Sequence, residues 1–359
     1  MIYLIKHTIN RYYIRKNEKL MVGNITTKGE KMEKYKIRIS FATYYALLDD
    51  MYNFDYLHND GTPNKNYFFN TLIQGFYSNY KKRRENVEGL IKKYINVKGK
   101  NKVEYENLIK TITLNLNKLY YSDFHYRYHN TSIFIYPSNG TKELFDEIEI
   151  NELSDESMSE FIRNLLNEYI SIPFFERERC LYWNQFVKIE KAIENNKIIY
   201  MYLKDNTKIE MIPVGIFTSI EEKYNYVVGK MKTSKGLINF SIKLSKIKSV
   251  IISNQQYDLS KTELNEIQEQ LNNGPEFMSK ENTHAVIQFT KYGIKRFKAC
   301  YKDRPVPTLI RDEGIYIFDA DINKLFLYLI QFGKHIKVIE PIELKEKLIK
   351  FYKEAIEKN

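Results

Sequence analysis

The alternation of apolar and polar residues follows the same course twice in the first half of the chain. Lys36 to Ser40 alternates with the two-residue period of a β-strand, and Ser132 to Tyr136 does so again. After each strand come a short helix and then a second helix, which opens on a capping residue and carries apolar residues at helical spacing. The helices are expected at 41–54 and 64–76 in the first copy and at 141–148 and 157–169 in the second. The shared order predicts a duplicated strand-helix-helix unit.

One strand and two helices are too few to bury their apolar faces, whereas two copies can pair their strands and share one core. We therefore expect the strand around Ile37 to pair antiparallel with the strand around Ile135. The order of elements, and above all the run from Ser157 to Arg163, resembles the ribbon-helix-helix family. That family pairs two chains, so the resemblance implies a pseudo-dimer within this single chain. Two unrelated helical hairpins are the alternative.

The outward residues of the two predicted strands are candidates for nucleic-acid binding. They are Lys36, Arg38 and Ser40 on the first strand and Ser132, Phe134 and Tyr136 on the second. In the ribbon-helix-helix family such residues enter the major groove of DNA. Aromatic residues read a duplex groove poorly but stack well on unpaired bases. Burial of Phe134 and Tyr136 under a neighbouring domain is the alternative.

Positive charge is concentrated in the first third of the chain. The formal net charge is +11, while residues 132–359 carry equal numbers of basic and acidic side chains. The run Lys81, Lys82, Arg83 and Arg84 opens a predicted helical insertion at 81–125 within a unit spanning 32–175. A local excess of this kind suggests a polyanionic partner, and the run is a candidate contact to a nucleic-acid backbone. A solvated helix end is the alternative.

A connecting helix at 176–195 precedes five short predicted strands at 196–255, which favour a small β-barrel. The elements Pro213-Val214-Gly215 and Asn225 to Gly229, followed by Ile242 to Ile247, resemble the WYL domain, a barrel of the Sm/SH3-like type. This resemblance implies a groove for a small or nucleotide ligand, lined by Tyr226, Lys243 and Lys246. Lysine stands where the family has arginine, so the charge is kept without the bidentate fork. A degenerate domain retained for packing is the alternative.

The last part of the chain is predicted to be a linker with a helix at 256–282 and an α+β sandwich at 283–359. Phe332-Gly333 and Glu340-Pro341-Ile342-Glu343-Leu344 resemble the extension that follows WYL domains. In that family the extension dimerises, so the resemblance implies a homodimer. The predicted fold class is therefore multidomain α+β: a ribbon-helix-helix-like pseudo-dimer, a small barrel and a C-terminal sandwich.

Several classes of protein are disfavoured by the sequence. There is no catalytic constellation, phosphate loop or metal-ligand cluster, so we expect no enzyme, no cofactor and no metal. His125 and His129, four residues apart, are a weak metal signal on their own. Two cysteines and the lack of a long apolar run favour a cytoplasmic protein without a membrane anchor. Residues 1–31 form a basic leader, expected to be disordered or to precede the true start at Met32.

Two functions fit these patterns. The favoured one is a bacterial transcription regulator that binds duplex DNA and senses a ligand in the barrel. The alternative resembles the WYL accessory proteins of type VI-D CRISPR systems, which bind single-stranded RNA. The acids Asp155 and Glu156 before the second copy's second helix would repel a phosphate and favour the alternative. A protein-binding adaptor is a third hypothesis.

Overall fold

The structure, a computed structural model, describes residues 34–94, 101–125, 131–153, 156–234, 236–278, 283–300 and 303–358. The predicted leader at 1–31 and His129 of the histidine pair lie outside these residues. The described chain is a mixed α+β fold with three antiparallel sheets. No helix in these ranges is both long enough and apolar enough to span a membrane.

The predicted pairing of the two N-terminal strands is confirmed. Strand β1 (Tyr35–Ile39) runs antiparallel to β2 (Thr131–Ile135), and Ile37 lies opposite Ile133. The helices are α1 (Phe41–Asn53), α2 (Lys65–Tyr94), α3 (Lys102–His125), α4 (Asn139–Asn151) and α5 (Met158–Ser171). Both strands turn their isoleucines into one core that α1, α2, α4 and α5 share, where Ile37, Ile39 and Ile135 are fully buried.

Equivalent positions of the two copies make equivalent contacts. Ser40 and Thr43 share a hydroxyl contact at the start of α1, and Thr43 Oγ1 donates to Asn167 Oδ1 at 3.1 Å. In the other copy, Ser138 and Thr141 share the same contact at the start of α4, and the amide of Gln74 binds both hydroxyls. Gln74 and Asn167 occupy the same position in the two second helices. The second helix of each copy therefore holds the first helix of the other.

No helix boundary marks residue 81, where the predicted insertion begins. Helix α2 continues without a break for 30 residues, from Lys65 to Tyr94, and α3 packs back on it. The basic run therefore lies inside a helix. Its arginines and lysines have high helix propensity, and no capping or breaking residue interrupts them.

The connecting segment comprises two helices, α6 (Phe174–Leu181) and α7 (Trp183–Glu194). Five strands follow, namely β3 (Lys197–Leu203), β4 (Lys208–Thr218), β5 (Asn225–Thr233), β6 (Gly236–Lys243) and β7 (Ile247–Gln256). They form one antiparallel sheet in the order β6-β5-β4-β3-β7, which is bent at a bulge between Pro213 and Gly215. One continuous apolar core joins this sheet to the N-terminal unit.

The predicted closed barrel is not present in the described residues, because no hydrogen-bonded ladder joins the edge strands β6 and β7. Each edge is covered by another element instead. Ser241 on β6 donates to the carbonyl of Pro275, and Gln185 and Lys188 of α7 donate to carbonyls of β7. The two bonds from α7 satisfy the carbonyls of Lys248 and Val250, and a covered edge is protected from pairing with another chain.

The C-terminal part agrees with the sequence pattern. After α8 (Lys261–Leu271), a sheet of order β11-β8-β10-β9 packs on three helices around a separate core. Its elements are β8 (Thr283–Phe289), α9 (Lys291–Ala299), β9 (Leu309–Arg311), β10 (Ile315–Ala320), α10 (Ile322–Leu329), β11 (Ile336–Glu340) and α11 (Ile342–Glu357). Gly333, in a left-handed conformation at φ 53°, ends the turn after α10, where a side chain would be strained.

Candidate nucleic-acid interface

The two paired strands present a mixed cationic and aromatic face to solvent, which we call the ribbon face and define by Lys36, Arg38, Phe134 and Tyr136. In the strand register Lys36 lies directly opposite Phe134, and Arg38 lies opposite Ser132. Both basic side chains are exposed, and Phe134 and Tyr136 are 43% and 39% exposed. The structure thus brings four of the predicted residues together on one surface. Ser132 is half-buried beside them.

The helices hold both outer edges of the ribbon. On one edge, Asn66 and Asn70 of α2 bond the backbone N–H and carbonyl of Tyr136, both at 3.0 Å. On the other edge, Arg163 Nε of α5 donates to the carbonyl of Arg38 at 2.7 Å. Asn70 and Arg163 occupy equivalent positions in the two copies. These bonds fix the strand backbones, so the outward side chains project from a rigid base.

Ser40 does not belong to the ribbon face. It was predicted to face outward with Lys36 and Arg38, but it is 4% exposed. The strand ends at Ile39, and Ser40 is the N-cap of α1, where its hydroxyl accepts the N–H of Thr43 at 3.0 Å. Because the side chain of Ser40 caps α1, it points towards the start of that helix and not towards the solvent face of the strand.

The basic run in α2 is largely committed to partners within the chain. Lys81 Nζ is 3.0 Å from Glu152, and this bond raises the pKa of Lys81. Arg83 pairs with Glu168 at 2.9 Å and with Glu176 at 3.6 Å. Arg84 is buried and its guanidinium is 3.6 Å from Glu156. Within the described residues, Lys82 is the one member of the run that is exposed without an ion pair.

The three residues predicted to line a ligand groove are near one another but differ in exposure. Tyr226 is 8% exposed, and burial raises the pKa of its phenol. Lys243 Nζ lies 3.3 Å from the ring centroid of Tyr224, and burial lowers the pKa of this lysine while the nearby Glu178 opposes that shift. Lys246 is exposed and pairs with Asp55 Oδ2 at 2.7 Å.

Asn53, the last residue of α1, and the two residues after it, Phe54 and Asp55, occupy this groove. We call them the groove loop. The hydroxyl of Tyr224 donates to Asn53 Oδ1 at 3.0 Å, and Lys204 Nζ donates to the carbonyls of Phe54 and Asp55, both at 3.1 Å. The pattern of the sequence did not single out Lys204, whose pKa is lowered to about 8 by burial. Lys204 and Lys246 are thus bonded to residues of the N-terminal unit itself.

Glu178 on α6 anchors the base of the groove. Its carboxylate accepts the backbone N–H of Asn225 at 2.6 Å, the side-chain amide of Asn225 at 2.9 Å and the N–H of Ser245 at 3.0 Å. Burial raises the pKa of Glu178, and these bonds oppose the shift. This hub joins the connecting helix to the middle sheet. It escaped sequence reasoning because its partners are about 50 and 70 residues away. Among the described residues, no three His, Cys, Asp or Glu side chains are grouped as a metal site.

Comparison with known proteins gives a likeness of fold. No family model matches the sequence, and no curated protein matches it. One solved structure is described as the crystal structure of a CRISPR Cas-related protein. It aligns with 93% of the residues of this chain and with 96% of its own residues, at a TM-score of 0.65 and 17% sequence identity. The structure of proteasome accessory factor B/C (PafBC) of Arthrobacter aurescens aligns with 62% of this chain and with 38% of its own residues. Its TM-score of 0.23 and 14% sequence identity do not indicate a shared fold. The first likeness extends over nearly the whole of both chains and shows a shared fold.

Proposed function

We propose that this chain is a nucleic-acid-binding accessory protein of a CRISPR system and that it binds single-stranded RNA across the ribbon face. The observation that carries the proposal is the cross-strand placement of exposed Lys36 beside exposed Phe134. Proteins that bind single strands commonly combine a basic side chain, which contacts a phosphate, with an aromatic ring, which stacks on a base. The CRISPR Cas-related protein of the same fold supports the part of the proposal that assigns the chain to a CRISPR system.

The finer assignment of the domains is part of the proposal. We assign the N-terminal unit to a ribbon-helix-helix-like pseudo-dimer, supported by the paired strands and the equivalent contacts of the two copies. We assign the middle sheet to a WYL-like domain. Its support is the strand order β6-β5-β4-β3-β7 with a one-turn helix, Leu244–Lys246, before the last strand. Both assignments agree with the motifs in the sequence.

Replacing Phe134 by alanine should weaken binding to a single-stranded RNA by about 1–3 kcal/mol, because one base loses its stacking platform. The measurement is a fluorescence-anisotropy titration with single-stranded RNA, single-stranded DNA and a duplex. Tyr52→Ala is the matched control, since Tyr52 is 50% exposed on α1, away from the ribbon face. Unchanged RNA affinity in Phe134→Ala, with circular dichroism showing an intact fold, would refute the stacking role.

Removing Lys36 and Arg38 together should flatten the dependence of binding on salt. Each phosphate that the protein no longer neutralises reduces the log–log slope by about 0.7 for a single strand, so we expect a fall of up to about 1.4. The control is the double variant Lys291→Ala and Lys295→Ala, which removes two exposed charges from α9 in the C-terminal part. If both double variants shift the slope equally, the ribbon face is not the contact surface.

A transcription regulator remains the second candidate, favoured by the exposure of Lys36 and Arg38 on a paired ribbon. The same titrations separate the two functions. Tight, sequence-dependent duplex binding that is indifferent to Phe134→Ala would support the regulator. Absence of binding to all three polymers would leave the adaptor hypothesis.

A ligand of the WYL-like groove would have to compete with the groove loop. We propose a small or nucleotide ligand whose negative group takes the place of Asp55 on Lys246. Binding of this kind would release the end of α1 from the middle sheet, since Tyr224 and Lys204 hold the same loop. The groove is then a route by which a ligand alters the N-terminal unit.

We also propose a homodimer formed through the C-terminal part, where α11 exposes Ile349 and Ile356, seven residues apart and therefore on one face. Light scattering should give the full chain twice its 43.1 kDa mass. The variant with Ile349→Asp and Ile356→Asp should give the mass of one chain. A variant that stays dimeric, or a wild-type protein that is monomeric, would contradict this interface.

A further inference from the structure

A cavity of about 430 Å³ lies between α2 and the turn that joins α6 to α7. Its α2 wall carries Tyr67, Thr71 and Gln74 on one helical face. The opposite wall is the segment from Cys180 to Gln185. Gly75 lets the walls approach, because a Cβ there would collide with the carbonyl oxygen of Cys180. Lys204 of the groove lies over the rings of Tyr56 and Tyr182 at the base of this cavity, 5.5 and 5.0 Å from their centroids, and no residue of the ribbon face lines it.

Aromatic rings form the floor and the rim. Tyr56 and Tyr182 are buried beneath the cavity with ring centroids 5.8 Å apart. Tyr67 and Trp183 line it with 61% and 46% of their surfaces exposed. The hydroxyl of Tyr56 donates to the carbonyl of Leu181, and its ring packs against the ring of Tyr67 with centroids 5.3 Å apart. The two exposed rings at the rim, Tyr67 and Trp183, provide surfaces on which a flat group can stack, whereas Tyr56 and Tyr182 are only 3% and 4% exposed.

Side-chain amides supply hydrogen-bonding groups between the rings. Gln74, Asn184 and Gln185 line the cavity. The amide nitrogen of Gln185 donates to the carbonyl of Lys248 at 3.0 Å, which leaves its carbonyl oxygen as an acceptor. Ring faces with amide edges between them match a planar heterocycle that carries donors and acceptors on its rim.

The cavity and the ribbon face are joined through α2. Gln74 Nε2 is 3.0 Å from Ser138 Oγ, two residues after Tyr136. Asn70, one turn before Gln74, binds the carbonyl of Tyr136 and accepts the N–H of Ser138 at 2.7 Å. The α2 wall of the cavity is therefore hydrogen-bonded to the segment that directly follows Tyr136 of the ribbon face.

We propose that this cavity is a nucleobase pocket, which takes one unpaired base of the strand that lies on the ribbon face. The inference rests on the proposed single-strand function and extends it to a second contact on the same chain. Tyr67 and Trp183 stack on the base, and the amides bind its edge. The ribbon face binds phosphates and stacks on a base through Phe134, while the pocket fixes a further nucleotide.

Trp183 allows a direct test, because it is the one tryptophan in the sequence. In the full-length protein, a single-stranded RNA oligonucleotide should quench Trp183 emission as it saturates the anisotropy signal. Tyr67→Ala should weaken RNA affinity about 5- to 150-fold, as expected when one base is deprived of a stacking partner. Tyr94→Ala is the matched control, since Tyr94 lies on the same helix and is 77% exposed away from the cavity. Saturating RNA binding without a change in Trp183 emission would overturn the pocket.

A second titration separates this inference from the proposed function. Adenosine monophosphate at millimolar concentration should quench Trp183 in the wild type and in Phe134→Ala, because the ribbon face takes no part. The same quenching should be abolished in Tyr67→Ala. If no RNA binds but the mononucleotide does, the proposed function fails and the pocket stands. If the mononucleotide leaves Trp183 unchanged in all variants, the pocket is refuted whatever the RNA result.

Discussion

Replacing Arg177 by methionine should destabilise the protein by about 3–5 kcal/mol at pH 8, the largest effect that we expect from a single change. Arg177 Nη1 lies 2.9 and 3.0 Å from the two carboxylate oxygens of Asp50, whose side chain is wholly buried. Without the arginine, an ionised carboxylate would remain in the core with no compensating charge. Urea unfolding followed by Trp183 emission measures the loss close to the site, because α7 begins at Trp183.

The effect should depend on pH in a defined direction. Burial raises the pKa of Asp50 from 3.8 to about 6, against the attraction of Arg177. The folded state therefore holds this proton more tightly than the unfolded state does. Its stabilising contribution is present below about pH 4 and is lost as pH rises through about 6. The variant lacks the opposing attraction, so its pKa rises further and its deficit should be smaller at pH 5 than at pH 8.

Two controls separate the ion pair from the general loss of a long side chain. Arg311→Met removes an exposed arginine from β9 and should change stability by no more than about 0.5 kcal/mol. Combining Asp50→Leu with Arg177→Met should recover part of the loss, because no charge is then left unpaired. A deficit that is equal at the two pH values would mean that the cost arises from packing and not from charge.

Replacing Ile37 by aspartate should cost several kcal/mol and lower the thermal midpoint of the full chain. Ile37 is fully buried and lies opposite Ile133 in the shared core of the two copies. A carboxylate at this position has no partner and disrupts both halves at once. Differential scanning calorimetry gives the shift.

Lys36→Ala is the matched control, one residue away on the solvent side of the same strand. It should leave the thermal midpoint nearly unchanged while it weakens nucleic-acid binding. Equal midpoints for Ile37→Asp and the wild type would show that the strand pairing does not support the fold.

The strand pairing could be predicted from sequence because its signal is local and repeated. Ile37, Ile39, Ile133 and Ile135 alternate with polar or aromatic residues, and one register buries all four. The elements of the C-terminal part could also be predicted from local patterns, except for the short strand β9 (Leu309–Arg311), which was not predicted. The limit of this reasoning appears at Ser40, where the alternation continues in the sequence although the strand has already ended in a helix cap.

The role of the basic run depends on contacts that no local pattern contains. Lys81, Arg83 and Arg84 meet glutamates at 147, 152, 156, 168 and 176, which lie far away in sequence. The groove loop presents the same difficulty, because Asp55 reaches Lys246 across nearly two hundred residues. Closure of the barrel also depends on which edges other elements cover. The proposed pocket also depends on a distant contact, because Trp183, Asn184 and Gln185 are adjacent in the sequence but face residues of α2 more than a hundred positions earlier.

The two copies lie in one chain, and they are not identical. At equivalent positions of the paired strands, Lys36 and Arg38 correspond to Ser132 and Phe134. A ribbon built from two identical chains looks the same after a half-turn and suits a palindromic site. This ribbon looks different in its two directions, so a single strand bound along it in the proposed way would have one preferred polarity. Its assembly is intramolecular and does not vary with protein concentration, so even a single molecule presents the complete directional surface.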